Sequence, residues 1–396
     1  MNKKELKTSL LLFALSFGIR LFYFLEVKGI DAQIHGDEGG YIALGKFILG
    51  TAPDNFYIFR APLAGFVFAP FFLLFNSSSF VARIVNIFIS SMYAPLIYKI
   101  SFLKFKNNKI SKYLSLFWTV YPPSVFYSSM ITSETLAGLL VLLISFFVVK
   151  NEKKVTLKNF LVLGFFCGLT SLTRSSYYYL PIFIGIFYII KFGFTLNNLK
   201  MCFAFIFTFY LTISPLIFYN YSKFDAFIPS EPRLGYGLYL CNNDLDQPEI
   251  IRGGYYRDDF LKNRKLESRN LKKIYLQDVA LKDKTFEYML QNKPKLILPF
   301  INRYVNFWSF RPNPIKNSYT TNDIIMFFIW MPIFLTYIFY LFKDRKNSIN
   351  LFNLIIFYTS ITVIPFWGIP RFRFPVDSLI LIQIGLFLKK YLVGKK

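Results

Sequence analysis

Apolar runs long enough to cross a bilayer recur from one end of this chain to the other, and no other feature limits its fold so tightly. A spanning helix needs about 20 mostly apolar residues to cross a hydrocarbon core about 30 Å thick. Such runs fall at residues 8–25, 80–103, 113–130, 131–149, 158–172, 176–190, 201–221, 323–342, 351–367 and 374–388, with a further apolar stretch at 61–75. Across the 396 residues, 54% are hydrophobic, 20% aromatic and only 17% charged, which excludes an ordinary soluble enzyme and an intrinsically disordered chain. The expected fold is an all-α polytopic membrane protein.

Basic residues set the expected orientation, because Lys and Arg concentrate in cytoplasmic connections. Lys3, Lys4 and Lys7 place the N-terminus inside, and Lys389, Lys390, Lys395 and Lys396 place the C-terminus there. Lys104, Lys106, Lys109 and Lys112 mark an inner loop; so do Lys150, Lys153, Lys154 and Lys158, and again Lys343, Arg345 and Lys346. Much of the net charge of +24 is spent this way rather than on nucleic acid. Parity then allows one crossing before Lys104, so the 61–75 stretch is expected to be re-entrant or interfacial. The basic start of residues 1–20 lacks a small-residue cleavage site and reads as an uncleaved first helix.

Two polar segments are left outside: the first external loop, 26–60, and the longer 222–322 segment, an ordered extracytoplasmic domain with a helix expected at 271–291. The organisation is therefore a transmembrane module over 1–221, the external domain, and C-terminal helices over 323–396. Cys167, Cys202 and Cys241 have no metal-ligand spacing and no disulfide framework.

Charged residues beside apolar runs are costly, so their positions carry information. The sharpest group is His35-Gly36-Asp37-Glu38-Gly39-Gly40-Tyr41 in the first external loop. Asp37 and Glu38 have the chemistry of a general base or of a divalent-metal site with His35 as a further ligand. A helix N-terminus capped by Asp37 is the competing reading. Arg60 opens the 61–75 stretch and suits either a phosphate contact or an interfacial anchor. Glu134, Arg174, Arg371 and Arg373 also fall on the outer side. Arginines there run against the basic-inside bias. They imply an anionic partner on that face, or pairing with Glu134 and Asp377. Asn220 and Tyr221 end the 201–221 run. The Gly-rich segment 234–244 follows, where Asn242 and Asn243 offer amides to sugar hydroxyls or make ordinary turns. No phosphate-binding Gly loop, zinc helix or nucleophile elbow is present.

Taken in order, these elements resemble the glycosyltransferases of the GT-C fold, in the family of the protein O-mannosyltransferases and the lipid A aminoarabinose transferase. Asp37, Glu38, Tyr41 and Ala43 match its acidic pair in the first external loop, and Arg60–Leu63 its Arg-x-Pro-Leu segment. Ser133-Glu134, Gly168–Arg174 and Arg371–Pro375 match its later motifs, and Gly237–Asn243 keeps part of its Gly/Asn loop. Pro215, Asn220 and Tyr221 match a Pro-Trp-x-x-Arg-Asn-Tyr element in which Leu216 and Tyr219 stand for the Trp and Arg.

The resemblance implies a GT-C bundle of about ten or eleven helices in the cytoplasmic membrane. It implies transfer of a sugar from a polyprenyl-phosphate donor to a lipid, glycan or protein hydroxyl outside. In that reading Asp37 is the base of an inverting displacement. Glu38 positions the acceptor or a metal, and Glu134 supports the site. Arg60, Arg174, Arg371 and Arg373 hold the donor phosphate. Tyr41, Asn220, Tyr221, Asn242 and Asn243 contact substrate. The resemblance fixes no cofactor, and a divalent metal at His35, Asp37 and Glu38 stays open. The rival readings are a flippase for lipid-linked sugars and a surface-polysaccharide ligase or polymerase. The absence of internal repeats and of mid-membrane charges argues against transport.

Overall fold

The computed structural model describes residues 3–52, 60–75, 77–151, 156–257 and 270–393, so Lys153, Lys154, Lys395 and Lys396 lie outside the described residues. Every regular element among the described residues is a helix. The N-terminal half runs α1 (Lys3–Phe22), α2 (Glu38–Ile48), α3 (Leu63–Phe75), α4 (Ser79–Ser91), α5 (Tyr93–Phe105), α6 (Asn108–Val120), α7 (Pro122–Ser128), α8 (Ser133–Lys150), α9 (Leu157–Thr173), α10 (Leu180–Phe192) and α11 (Leu196–Phe224). Then come α12 (Leu234–Asn242), α13 (Leu271–Gln291), α14 (Lys293–Phe307), α15 (Thr321–Lys343), α16 (Leu351–Ile361) and α17 (Pro370–Leu388), with the short turns Tyr23–Lys28, Ser175–Tyr177, Pro248–Ile251, Arg345–Ser348 and Lys389–Val393 left unlabelled.

Six helical stretches among the described residues are long and apolar enough to cross a membrane: Lys3–Lys28, Ser79–Phe105, Ser133–Lys150, Ser175–Phe192, Leu196–Phe224 and Thr321–Lys343. The protein is a multi-pass membrane protein. Helix α3 has 13 residues and is about 20 Å long, short of the hydrocarbon core, so it does not cross alone. It packs on α2 and α4. Helix starts are written locally: Ser78, Asn107, Thr156, Thr195 and Asn350 each accept a backbone N–H of the turn they open. Thr320 and Asp323 form a reciprocal capping box at the start of α15.

Three expected spans come out differently. The 113–130 run is divided at Tyr121, because Pro122 and Pro123 lack the N–H groups that would continue α6 and instead open α7. The 351–367 run is helical only to Ile361. The last run begins at Pro370 rather than at 374, which puts Arg371 and Arg373 on the helix itself.

Helix α17 is the axis of the bundle. Every residue from Arg373 to Gly385 is buried, against α5, α6, α8, α15 and α16. Close approach elsewhere depends on missing side chains. A Cβ on Gly164 of α9 would stand 2.3 Å from the Phe205 carbonyl of α11, and one on Gly168 2.5 Å from Thr212 Cβ. Those two glycines let α9 and α11 pack nearly backbone to backbone. Arg20 of α1 is fully buried and is satisfied by neutral oxygens alone, the hydroxyls of Ser16, Ser90 and Ser124 and the carbonyls of Ser16 and Thr119. This ties α1 to α4 and to the α6–α7 turn.

The described part of the 222–322 segment is built around α12, α13 and α14. Asp278 of α13 accepts the backbone N–H groups of Gly235 and Tyr236 at 2.9 and 2.7 Å, closing the open end of α12. Arg303 of α14 is fully buried. It donates to Asn242 Oδ1 and the Ile364 carbonyl, each at 3.0 Å, and to the Cys241 carbonyl. Helices α12 and α14 are thereby pinned to the 362–369 connection that leads into α17.

Candidate active site

The chain brings five charged residues from five separate segments to one point. Asp37 immediately precedes α2, and Arg60 lies just before α3. Glu134 is in the first turn of α8, Arg174 follows α9, and Arg371 is in the first turn of α17. Asp37 Oδ1 accepts from Arg60 Nη2 at 2.9 Å, and its Oδ2 accepts from Arg371 Nη2 at 3.0 Å. Arg371 also donates through Nε to Glu134 Oε1 at 2.6 Å, and Arg174 Nη1 reaches the same oxygen at 2.6 Å. One arginine thus bridges two carboxylates, and three guanidiniums meet two carboxylates in direct contact.

Burial separates the two acids. The Glu134 side chain is fully buried, whereas that of Asp37 is 41% exposed. Glu134 organises the cations from behind, and Asp37 is the carboxylate a substrate can reach. Burial pushes the Asp37 carboxyl up, but Arg371 and Arg60 outweigh it and hold it below the usual carboxylate range. Tyr41 is buried with Arg60 over its ring, 4.8 Å from the centroid. Arg174 lies over Phe372 at 5.1 Å. These rings fix the guanidinium planes without neutralising them.

Gly40 makes room for the arrangement. A Cβ there would stand 2.5 Å from Arg60 Nε. We expect Gly40→Ala to leave the fold intact, since the obstructing atoms end a flexible side chain. It should lower turnover at this site about 10²-fold by moving Arg60 off Asp37; unchanged steady-state turnover would separate Arg60 from the chemistry.

Other expected site residues stand elsewhere. Asp37 does not cap α2 with its side chain. Glu38 is turned away into the protein: it accepts the Ile131 and His35 backbone N–H groups at 3.0 and 3.1 Å and pairs with Arg83 and Lys28. It stitches the segment before α2 to the bundle and does not join the cluster. His35 is exposed, and among the described residues no group of three His, Cys, Asp or Glu is placed to hold a metal. With Glu38 committed to cations and Asp37 between two arginines, the His35–Asp37–Glu38 set does not fit a divalent ion.

Arg373 also leaves the expected set. It is buried, pairs with Asp377 at 2.9 Å, donates to the Phe307 and Ser309 carbonyls and lies 3.4 Å over Trp330. It locks α14 and α15 to α17. Asn220 is buried and donates to the Ile228 and Ser230 carbonyls. Asn242 donates to the Leu238 and Pro365 carbonyls, and Asn243 to that of Tyr256. These amides hold turns. Tyr221 is exposed on α11, outside the cluster contacts. Ser133, already marked by its motif with Glu134, accepts from Arg174 at 3.3 Å; one contributor escaped sequence reasoning, Glu231, which accepts from the Ser175 hydroxyl. Glu231 sits in a Pro-Ser-Glu-Pro segment with no hydropathy cue.

The helical membrane bundle has the fold of the GT-C membrane glycosyltransferases. Residues 60–219 match the family of dolichyl-phosphate-mannose-protein mannosyltransferases. That match begins at Arg60 and includes Glu134 and Arg174. The archaeal oligosaccharyltransferase AglB from Archaeoglobus fulgidus, solved with an inhibitory peptide and a dolichol-phosphate, superposes with a TM-score of 0.60 at 11% identity, covering 99% of this chain and 51% of that one. The chain therefore spans about half the length of AglB. ArnT from Cupriavidus metallidurans, solved with undecaprenyl phosphate, gives a TM-score of 0.44 at 11% identity, covering 99% and 77%. No curated protein matches.

Proposed function

We propose that the protein transfers a sugar from a polyprenyl-phosphate donor to a hydroxyl acceptor at the outer face of the cytoplasmic membrane, with both termini inside. The observation that carries this reading is the half-exposed Asp37 carboxylate held against Arg60 and Arg371, with Arg174 behind them on Glu134. The family match and the dolichol-phosphate in the AglB structure support the donor class.

In the proposed step the acceptor O–H gives its proton to Asp37 as its oxygen bonds to the anomeric carbon. The bond from that carbon to the phosphate oxygen breaks, and its electron pair leaves with the lipid phosphate. Arg60, Arg371 and Arg174 stabilise the departing oxyanion. Inversion follows from a single displacement.

The test is release of polyprenyl phosphate by the purified protein in lipid, offered a panel of polyprenyl-phosphate sugars and hydroxyl acceptors. Transfer without release, or lipid movement across the vesicle with no new glycosidic bond, overturns the reading. The acid limb of kcat/KM adds a further check. Asp37 acts as a base only when ionised, and the arginines hold its pKa below the ordinary value of about 3.9. Activity is therefore present above that pH and lost only as pH falls below it. A rate profile flat from pH 5 to 7 is expected; a limb near pH 6.5 would assign the base elsewhere.

A further inference from the structure

Helix α14 is turned opposite to a surface helix in water. Its polar side chains face the protein. Asn302 donates to the Ile251 carbonyl at 2.7 Å and Asn306 to that of Arg252 at 2.6 Å, and Arg303 is fully buried. Its apolar side chains face out. Ile297, Leu298, Ile301 and Val305 are 54–62% exposed, and Tyr304 is exposed beside them. Their three- and four-residue spacing puts them on one stripe, which in a soluble domain would be the buried one. Helix α13, which leads into α14, keeps Lys272, Lys273, Asp283, Lys284 and Glu287 on its exposed surface. From Leu296 to Phe307 no charged residue is exposed. The surroundings therefore change at Lys293–Lys295, from water to hydrocarbon.

Two further observations place the end of α14 at membrane depth. The first is its neighbour. The Trp308 ring lies 5.8 and 6.1 Å from those of Phe334 and Tyr337 of the spanning helix α15. Even Trp330, on the same side, is about 14 Å along α15 from Thr321. Ile324, Ile325 and Phe328 are exposed within that first stretch, so α15 already faces lipid there. The second is the backbone. A helix end in hydrocarbon must have its last carbonyls met from within the protein. Those of Phe307 and Ser309 accept from Arg373 Nη1 at 2.8 and 2.9 Å, and that of Trp308 accepts from Trp330 Nε1 at 2.8 Å. We infer that α14 is a re-entrant helix. It enters the leaflet on the side of the Asp37 cluster at Lys293–Lys295, its stripe lies among lipid acyl chains, and the chain turns back at Trp308. Its 15 residues make about 22 Å, too short to cross. This takes α14 out of the external domain expected over 222–322 and into the membrane. Arg373 stands two residues from Arg371, so the embedded helix braces the turn that carries a cluster arginine.

The test reads depth and is independent of sugar transfer, so it stands or falls apart from the proposed function. Ile297→Cys, Ile301→Cys, Val305→Cys and, on α13, Glu287→Cys are made one at a time in the full chain. Cys202→Ala is the background, since Cys167 and Cys241 are buried. All four labelled positions are exposed, so a nitroxide there displaces no core side chain. The labelled protein is placed in phosphatidylcholine nanodiscs, and relaxation of the nitroxide is read with oxygen, which concentrates in hydrocarbon, and with a nickel chelate, which stays in water. Oxygen should dominate at Ile301→Cys, with the label about 5–10 Å below the lipid phosphates. Val305→Cys should be deeper than Ile297→Cys, by up to about 12 Å, the rise over the intervening residues. Nickel should dominate at Glu287→Cys. Nickel dominating at Ile301→Cys and Val305→Cys overturns the inference. Equal depth at all three α14 positions leaves a helix flat on the surface and overturns re-entry. Shielding of the stripe from both reagents means that protein covers it, such as a second copy of the chain, and overturns lipid as the occupant.

Discussion

Asp37→Asn is expected to reduce sugar transfer by about 10²–10⁴-fold, the range that a positioned general base contributes, while the protein inserts and unfolds like wild type. The carboxamide keeps the shape of the side chain at a position already 41% exposed, and its single oxygen can accept from only one of Arg60 and Arg371. Asparagine cannot take the acceptor proton. It also removes the negative charge that Arg60 and Arg371 now share, leaving those guanidiniums with greater attraction for an anionic donor. The loss should therefore fall on kcat, with donor affinity unchanged or tighter. A structural role alone would raise the donor Kd and lower stability together. Turnover within about threefold of wild type in correctly inserted protein would remove Asp37 from the mechanism.

The contrast between Asp37 and Glu38 shows where sequence reasoning stops. Adjacent residues at a helix start point about 100° apart, so only one of two neighbouring carboxylates can face a given partner. Hydropathy does not reveal which. Glu38 found Arg83, 45 positions along, and Asp37 found Arg60 and Arg371. The same geometry separates Arg371 from Arg373, about 200° apart on α17: one faces the cluster and the other Asp377 and Trp330. Amphipathic periodicity could not set the phase, because α17 is buried on every side and has no polar face. Sequence did locate Asp37, Arg60, Glu134, Arg174 and Arg371 individually, since a charge beside an apolar run stands out. Most spans were legible for a related reason: crossing hydrocarbon is a one-dimensional demand on composition. The exceptions were the division at Pro122, the early end of α16 and the start of α17 at Pro370 rather than 374. The asparagines 220, 242 and 243 resembled sugar contacts because an amide that binds a ligand and one that bridges carbonyls have the same local sequence.

Glu134→Gln should cost more stability than any other single change in the cluster. The side chain is fully buried, and its Oε1 accepts from both Arg174 and Arg371 at 2.6 Å. Removing one partner of a buried pair typically costs 3–5 kcal/mol, because the remaining charge is left uncompensated. Arg174 and Arg371 keep 17% and 25% of their side-chain surface exposed, so solvent screening brings the expected loss to the low end, about 3 kcal/mol. Denaturation of the detergent- or lipid-solubilised protein measures it. Transfer should be lost as well, since Arg371 would no longer be held between the two carboxylates. The informative companion is Glu134→Gln/Arg174→Gln, which removes one charge of each sign. If charge balance behind the site sets the stability, the double variant recovers part of the loss, a coupling of roughly 0.5–3 kcal/mol for contacting residues. It should recover none of the activity, because the donor would still meet a misplaced Arg371 and one cation fewer. Additive losses in the double variant would mean that Glu134 and Arg174 act independently, and the view of Glu134 as the carboxylate that assembles the arginines would have to be abandoned.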